Sequence, residues 1–183
     1  MESISYKARI ADNLLHNKLK SSAAVLVQGP KWCGKTTTSE QVANSILYLA
    51  DPNTIKKNLL LVETNINALL QGEQPRLIDE WQEAPQLWDA IRFTADHNPS
   101  MGQFILTGSA VPVKKEIIRH SGTGRISRLT MRTMSLWESG ESNGTIQLKD
   151  LFGQTNQIFA ETNLQLSDIA HLICRGGWPS TTN

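Results

Sequence analysis

Between positions 29 and 37 the chain reads Gly29, Pro30, Lys31, Trp32, Cys33, Gly34, Lys35, Thr36 and Thr37. The spacing is G-x-x-x-x-G-K-[ST], that of a phosphate-binding loop. Each residue type has a use there. Bare glycines let the backbone turn tightly and let an anion come close. The amides between them form a concave nest for phosphate oxygens. A helix starting near Lys35 would set its positive end beneath the same anion. On this reading Gly29 to Thr37 hold a nucleotide, Lys35 meets its β- and γ-phosphates, and the Thr36 hydroxyl ligates Mg2+.

A second group is Arg76-Leu77-Ile78-Asp79-Glu80-Trp81. Apolar residues ending in paired acids resemble a Walker B strand. Asp79 would hold Mg2+, usually through water, and Glu80 would polarise the attacking water as general base. A third is Gln103 to Ser109, an apolar run closed by Thr107, Gly108 and Ser109. Thr107 and Ser109 are candidates for the polar group that senses a γ-phosphate and orients the water; an ordinary Thr-Gly-Ser turn is the other reading. Arg125, Arg128 and Arg132 follow a loop rich in Gly and Ser. Arg125 first, then Arg128, is the candidate to approach a γ-phosphate, its own or a neighbouring subunit's; a solvated basic rim is the alternative. Cys33, at a helix start beside Lys31 and Lys35, is expected to be a reactive thiol unless it merely fills the loop.

These groups need elements to carry them. Ala23 to Val27 reads as a buried strand, and Thr36 to Leu49 as a helix followed by apolar residues, with Ser45 to Ala50 passing into a second strand. Thr54 to Leu70 reads as a helix, Gln71 to Pro75 as a turn, and Gln86 to His97 as a helix stopped by Asn98-Pro99. Trp81 and Trp88 read as core aromatics. Ile126 to Met131 alternates as a strand, with Ile126, Arg128 and Thr130 on one face. Met1 to Lys20 has helical spacing at Ile4, Ile10, Leu14, Leu15 and Leu19; Tyr6 to Arg9 could alternatively lie beside an adenine. Lys114 to His120 reads as a basic helix. Ser167 is placed to cap a short helix that Gly176 closes.

The 183 residues hold 18 Lys and Arg against 17 Asp and Glu, a formal charge of +1. So balanced a chain gives little footing for strong nonspecific nucleic-acid binding, and the basic stretch lacks interleaved aromatics. No apolar run reaches membrane-span length and no signal peptide is visible. Two cysteines are too few for a disulfide framework, so a reducing cytoplasmic setting is expected. The expected organisation is a core over 1–140 and a polar extension over 141–183 that ends in a short helix.

In these motifs the chain resembles a family of prokaryotic AAA-type ATP-binding proteins that pair a P-loop domain with a C-terminal domain of unknown function. The resemblance runs through GPKWCGKTT (Gly29 to Thr37), LIDEWQ (Leu77 to Gln82), FILTGSA (Phe104 to Ala110), His120 to Ser142 and RGGWP (Arg175 to Pro179). It implies an α/β fold, a three-layer αβα P-loop NTPase of AAA-like type with a parallel sheet of order 5-1-4-3-2. It also implies that Arg125 or Arg128 belongs to the nucleotide machinery. Family members continue past the GGWP segment, whereas this chain stops at Asn183.

Mg2+-dependent binding and hydrolysis of ATP is therefore the expected function. The alternative is a nucleotide-gated interaction module, whose surface around Arg119, Arg125 and the segment after Trp137 would meet a protein or DNA partner. A homo-oligomer fits either. A small-molecule kinase is disfavoured, because it needs no acid to activate water. With no N-K-x-D motif, ATP is preferred over GTP through the resemblance.

Overall fold

The computed structural model describes residues 6–109, 122–152 and 159–182. The chain packs as two compact units, one of Ile10–Arg132 and one whose described residues are 6–9, 133–152 and 159–182.

The larger unit runs α1 (Ile10–Ser21), β1 (Ala24–Gly29), α2 (Lys35–Glu40), β2 (Ser45–Tyr48), α3 (Ile55–Thr64), α4 (Asn67–Leu70) and β3 (Arg76–Asp79). A 3-10 turn (Trp81–Glu83), α5 (Gln86–His97), β4 (Phe104–Ser109) and β5 (Ile126–Thr130) complete it. The five strands form one sheet of order β2-β3-β4-β1-β5, and every pairing is parallel. This is the expected α/β, P-loop NTPase-like arrangement, read from the other edge. Parallel strands need both faces covered, which is why β1 is buried along nearly its whole length instead of alternating. On one face Leu26, Ile78, Phe104 and Leu106 pack with Leu87, Trp88 and Ile91 of α5 and with Leu69 and Leu70 of α4. On the other, Val25, Val27, Leu77, Ile105 and Leu129 pack with Ala11, Leu15 and Leu19 of α1. Trp81 and Trp88 are core aromatics as expected, with ring centroids 5.1 Å apart.

Three elements depart from the reading. The helix after the loop ends at Glu40. Thr36, Thr37 and Thr38 are β-branched and poor at sustaining a helix. The chain then turns through Val42 and Ala43, whose amides both donate to the Ser39 carbonyl, so that Ser45 can pair with Arg76. Thr54 to Leu70 divides at Asn65, whose φ of −155° and ψ of 72° leave the helical region. The helix before β1 begins at Ile10. Ile4 and the basic stretch Lys114 to His120 lie outside the described residues.

The smaller unit holds α6 (Leu136–Ser139), a 3-10 turn (Leu148–Phe152), α7 (Leu166–Arg175) and a 3-10 turn (Pro179–Thr181). Polar contacts tie it together. Arg9 Nε donates to Glu138 Oε1 at 2.9 Å, with both side chains only 5% exposed. Arg175 donates to Glu141 at 2.5 Å. Ser135 caps α6 in a reciprocal box with Glu138. α7 is capped by Gln165 and Asp168 instead of Ser167, and Gly176 closes it with φ 69°. No residue of α7 is buried. Among the described residues no helix is long and apolar enough to cross a membrane.

Candidate functional site

The loop leaves the carboxyl end of β1, the central strand, where open parallel sheets place their ligands. Gly29 is needed there for a reason beyond the anion. A Cβ on it would lie 2.2 Å from the Met131 carbonyl oxygen of the chain leaving β5. The Met131 amide donates to the Gln28 carbonyl at 2.7 Å, which keeps the two backbones that close. The loop then reverses through two left-handed residues, Trp32 (φ 65°) and Gly34 (φ 100°). Glycine takes that conformation freely; tryptophan in it is strained by roughly 1–2 kcal/mol. Trp32 is 75% exposed, and the Lys31 ammonium lies 5.2 Å from its ring centroid. Pro30 and Thr37 also face solvent.

Lys35 is buried, and its ammonium donates to the carbonyls of Gly29 (3.2 Å) and Pro30 (2.8 Å). An ammonium has three donors, so this tether fixes the charge over the loop and still leaves one for a phosphate. Since α2 has only six residues, an anion here would be held by the loop amides and the first helical turn more than by a long helix dipole. Of the two readings of Cys33, the packing supports the loop filler. Its side chain has no exposed surface and sits among Leu15, Val25, Val27, Leu129 and Met131. It fills the loop's underside and presents no accessible thiol.

Asp79 ends β3 and Thr107 lies in the neighbouring β4, both near the loop. Thr36 Oγ1 donates to Asp79 Oδ1 at 2.7 Å, and Thr107 Oγ1 donates to the same oxygen at 2.5 Å. Thr107 is 1% exposed, and it accepts from the Glu80 amide at 3.3 Å. Its proton goes to one acid and its lone pair to the backbone of the next. The hydroxyl therefore links the carboxylate of one acid to the backbone of the next. The Ser109 backbone pairs with Gly29 in the strand register.

The donor set suits Mg2+. Thr36 and Asp79 bring a hydroxyl and a carboxylate to one point, and hard oxygens are what that cation takes, with water and phosphate filling its other positions. Among the described residues no group of three or more His, Cys, Asp and Glu side chains could hold a metal.

Glu80 also adopts a left-handed backbone (φ 55°, ψ 48°), an outlier of the kind that clusters at functional sites. Its carboxylate accepts from Gln82 Nε2. The turn carrying Gln82 is seated by Trp81 in the core, and the end of β4 is bare beneath it. A Cβ on Gly108 would lie 2.5 Å from Gln82 Oε1 and 2.8 Å from the Trp81 ring. The sequence marked Gln82 and Gly108 only as members of their motifs and gave neither a role. The visible signal was a glutamine two positions after the acid pair and a glycine between two hydroxyls.

Arg125 and Arg128 are not brought to this chain's own loop. β5 runs parallel to β1, so the Gly-Arg pair enters at the end where the strands begin. Ile126 aligns with Ala24 and Arg128 with Leu26. At about 3.3 Å per residue, Arg125 stands roughly 20 Å upstream of Gly29 along the sheet. Its guanidinium donates to Asp96 at 2.8 Å and holds that carboxyl below its ordinary range. Arg128 lies over the Trp88 ring, 6.0 Å from the centroid. The arginine that the register carries to the loop's end of the sheet is Arg132, directly after Met131.

A family model described as an AAA domain matches residues 21–139. Two curated relatives are each 26% identical over 141 residues, one an uncharacterized protein of Mycobacterium bovis and one an uncharacterized protein of Mycobacterium tuberculosis. The match takes in 70% of this chain but 29% of either relative, so the chain spans well under half the length of the curated relatives it matches.

Proposed function

This chain belongs to the AAA-domain family, and from that premise we propose that it binds ATP with Mg2+ and hydrolyses it. The observation that carries the reading is the hydrogen bond from Thr36 to Asp79, which joins the phosphate loop to the acid strand at one point. Lys35, tethered to two loop carbonyls, neutralises phosphate charge without having to be ordered on binding. A Mg2+ held at Thr36 and Asp79 would supply further charge neutralisation at the β- and γ-oxygens. Glu80 takes a proton from the water that attacks the γ-phosphorus, and Thr107 keeps both acids in place.

Two substitutions test this. Lys35→Ala should abolish nucleotide binding. Glu80→Gln should bind ATP as the wild type does and turn it over at least about a hundredfold more slowly, the usual weight of a general base. Equal phosphate release by Glu80→Gln and wild type would refute the role given to Glu80.

A second reading, a nucleotide-gated interaction module, draws on the smaller unit. Leu166, Ile169 and Ile173 leave an apolar face of α7 exposed. Very slow hydrolysis joined to nucleotide-dependent binding of a protein or DNA partner would favour it. In either reading Arg125 can meet a γ-phosphate only across a subunit boundary, so Arg125→Ala should lower turnover only in a homo-oligomer. We place the protein in the cytoplasm, because its two cysteines are too few for a disulfide framework.

A further inference from the structure

We propose that Gln82 is the positioning residue for the general base, holding the Glu80 carboxylate so that one oxygen is left for the attacking water. This rests on the reading of Glu80 as that base. A glutamate side chain has three rotatable bonds, and a base that must meet a water in one geometry has to be held. The Asp79–Thr107 network does not do this, because it reaches Glu80 through the backbone amide. The hold comes from Gln82, whose Nε2 donates to Glu80 Oε2.

Three features of the fold serve that one contact. The first is the left-handed backbone of Glu80, which starts the turn and brings Gln82 back over it. The turn is closed by Glu83 and Ala84, whose amides donate to the carbonyls of Glu80 and Trp81, each at 3.0 Å, and Trp81 is anchored in the core. The second is Gly108, the one residue type that leaves room for the Gln82 amide against β4. The third is a cost. Gln82 Oε1 is buried with no hydrogen-bond partner among the described residues. Rotating the amide would set Oε1 against the carboxylate, acceptor against acceptor, so the unpaired oxygen is what the Nε2 contact requires. A buried unpaired acceptor calls for an explanation, and holding Glu80 is one. The donor's neutrality matters as well. A lysine or arginine would set a positive charge beside the acid, whereas an amide orients it without adding one.

The test uses the whole chain and two variants. Gln82→Met keeps the side-chain length and removes the donor; Gln82→Glu keeps the shape and sets a like charge against Glu80. Three quantities are read for each: affinity for ATP and ADP with Mg2+, kcat, and affinity for ADP with aluminium fluoride, a mimic that binds tightly only when a water is seated in line. In Gln82→Met nucleotide affinity should stay within about twofold, while kcat falls by about tenfold or more and aluminium fluoride binding weakens in step. Gln82→Glu should show the same split, which a merely structural change would not produce. Unchanged kcat and mimic affinity in both variants would overturn the proposal, and so would a rise in kcat, which would make Gln82 a restraint. Glu80→Gln separates the two failures. If it loses turnover while Gln82→Met keeps it, only the inference about Gln82 falls. If it turns over like the wild type, the reading of Glu80 falls and takes this one with it. Should the wild type release no phosphate, the mimic affinity still decides whether Gln82 orders the water site.

Discussion

Thr107 shows how much one hydroxyl can settle. With its proton on Asp79 and its oxygen under the Glu80 amide, it links the ends of two acids that the sequence could only place side by side. Thr107→Val keeps the shape and removes both bonds. It should cost about 1–3 kcal/mol of stability in a denaturant melt, since it leaves buried partners unsatisfied, and it should weaken the Mg2+ dependence of nucleotide binding. Cys33 predicts a different observation. The chain has two cysteines, Cys33 buried and Cys174 exposed, so one thiol should react in the native protein and two in denaturant. Two fast thiols in the native protein would contradict the packing. The residue types of the phosphate loop and the acid pair were legible because each answers to local chemistry. Gln82, Gly108 and the burial of Cys33 were not, because each depends on a neighbour brought up by a different strand or helix.

The strands and α5 were legible for a similar reason: their signal is a continuous apolar run or a clean helical spacing that tertiary packing reinforces. α2 was not, because its end is decided by where β2 must pair. The position of the Gly-Arg pair was missed because register, which sequence does not display, sends it to the far end of the sheet. α1 shows what burial does for a helix of modest amphipathicity. Leu15 has no exposed surface in the cluster beneath β1, so Leu15→Ala should destabilise the larger unit by about 2–5 kcal/mol. α7 is the opposite case. Leu166, Ile169 and Ile173 are exposed, so replacing all three with Ser should leave the unit folded and reduce self-association in light scattering. The smaller unit should also show an acid limit. Hydrogen bonds from Arg175, then from Ser139, hold the Glu141 carboxyl down at about 2. A depressed carboxyl stabilises the fold above its unfolded value and loses that contribution as pH falls from about 4.5 towards 2. Glu141→Gln should therefore flatten the loss of stability over that window in thermal melts, while starting lower at neutral pH.

The phosphate loop and the acid pair lie in the unit of Ile10–Arg132, so a ligand should stabilise that unit by mass action. At a hundred times its dissociation constant, ATP with Mg2+ should add about 2.7 kcal/mol, a rise of several degrees in melting temperature that Lys35→Ala abolishes. The near-zero net charge makes a steep salt dependence of DNA retention unexpected, and a flat salt series would agree with that. The close approach of Gly29 to Met131 has one more consequence. The Met131 amide is bonded one residue before the loop begins, so the edge strand and the cradle share a hinge pin. Deuterium uptake at that single amide should slow when nucleotide arrives, and it would report occupancy from the chain just past β5.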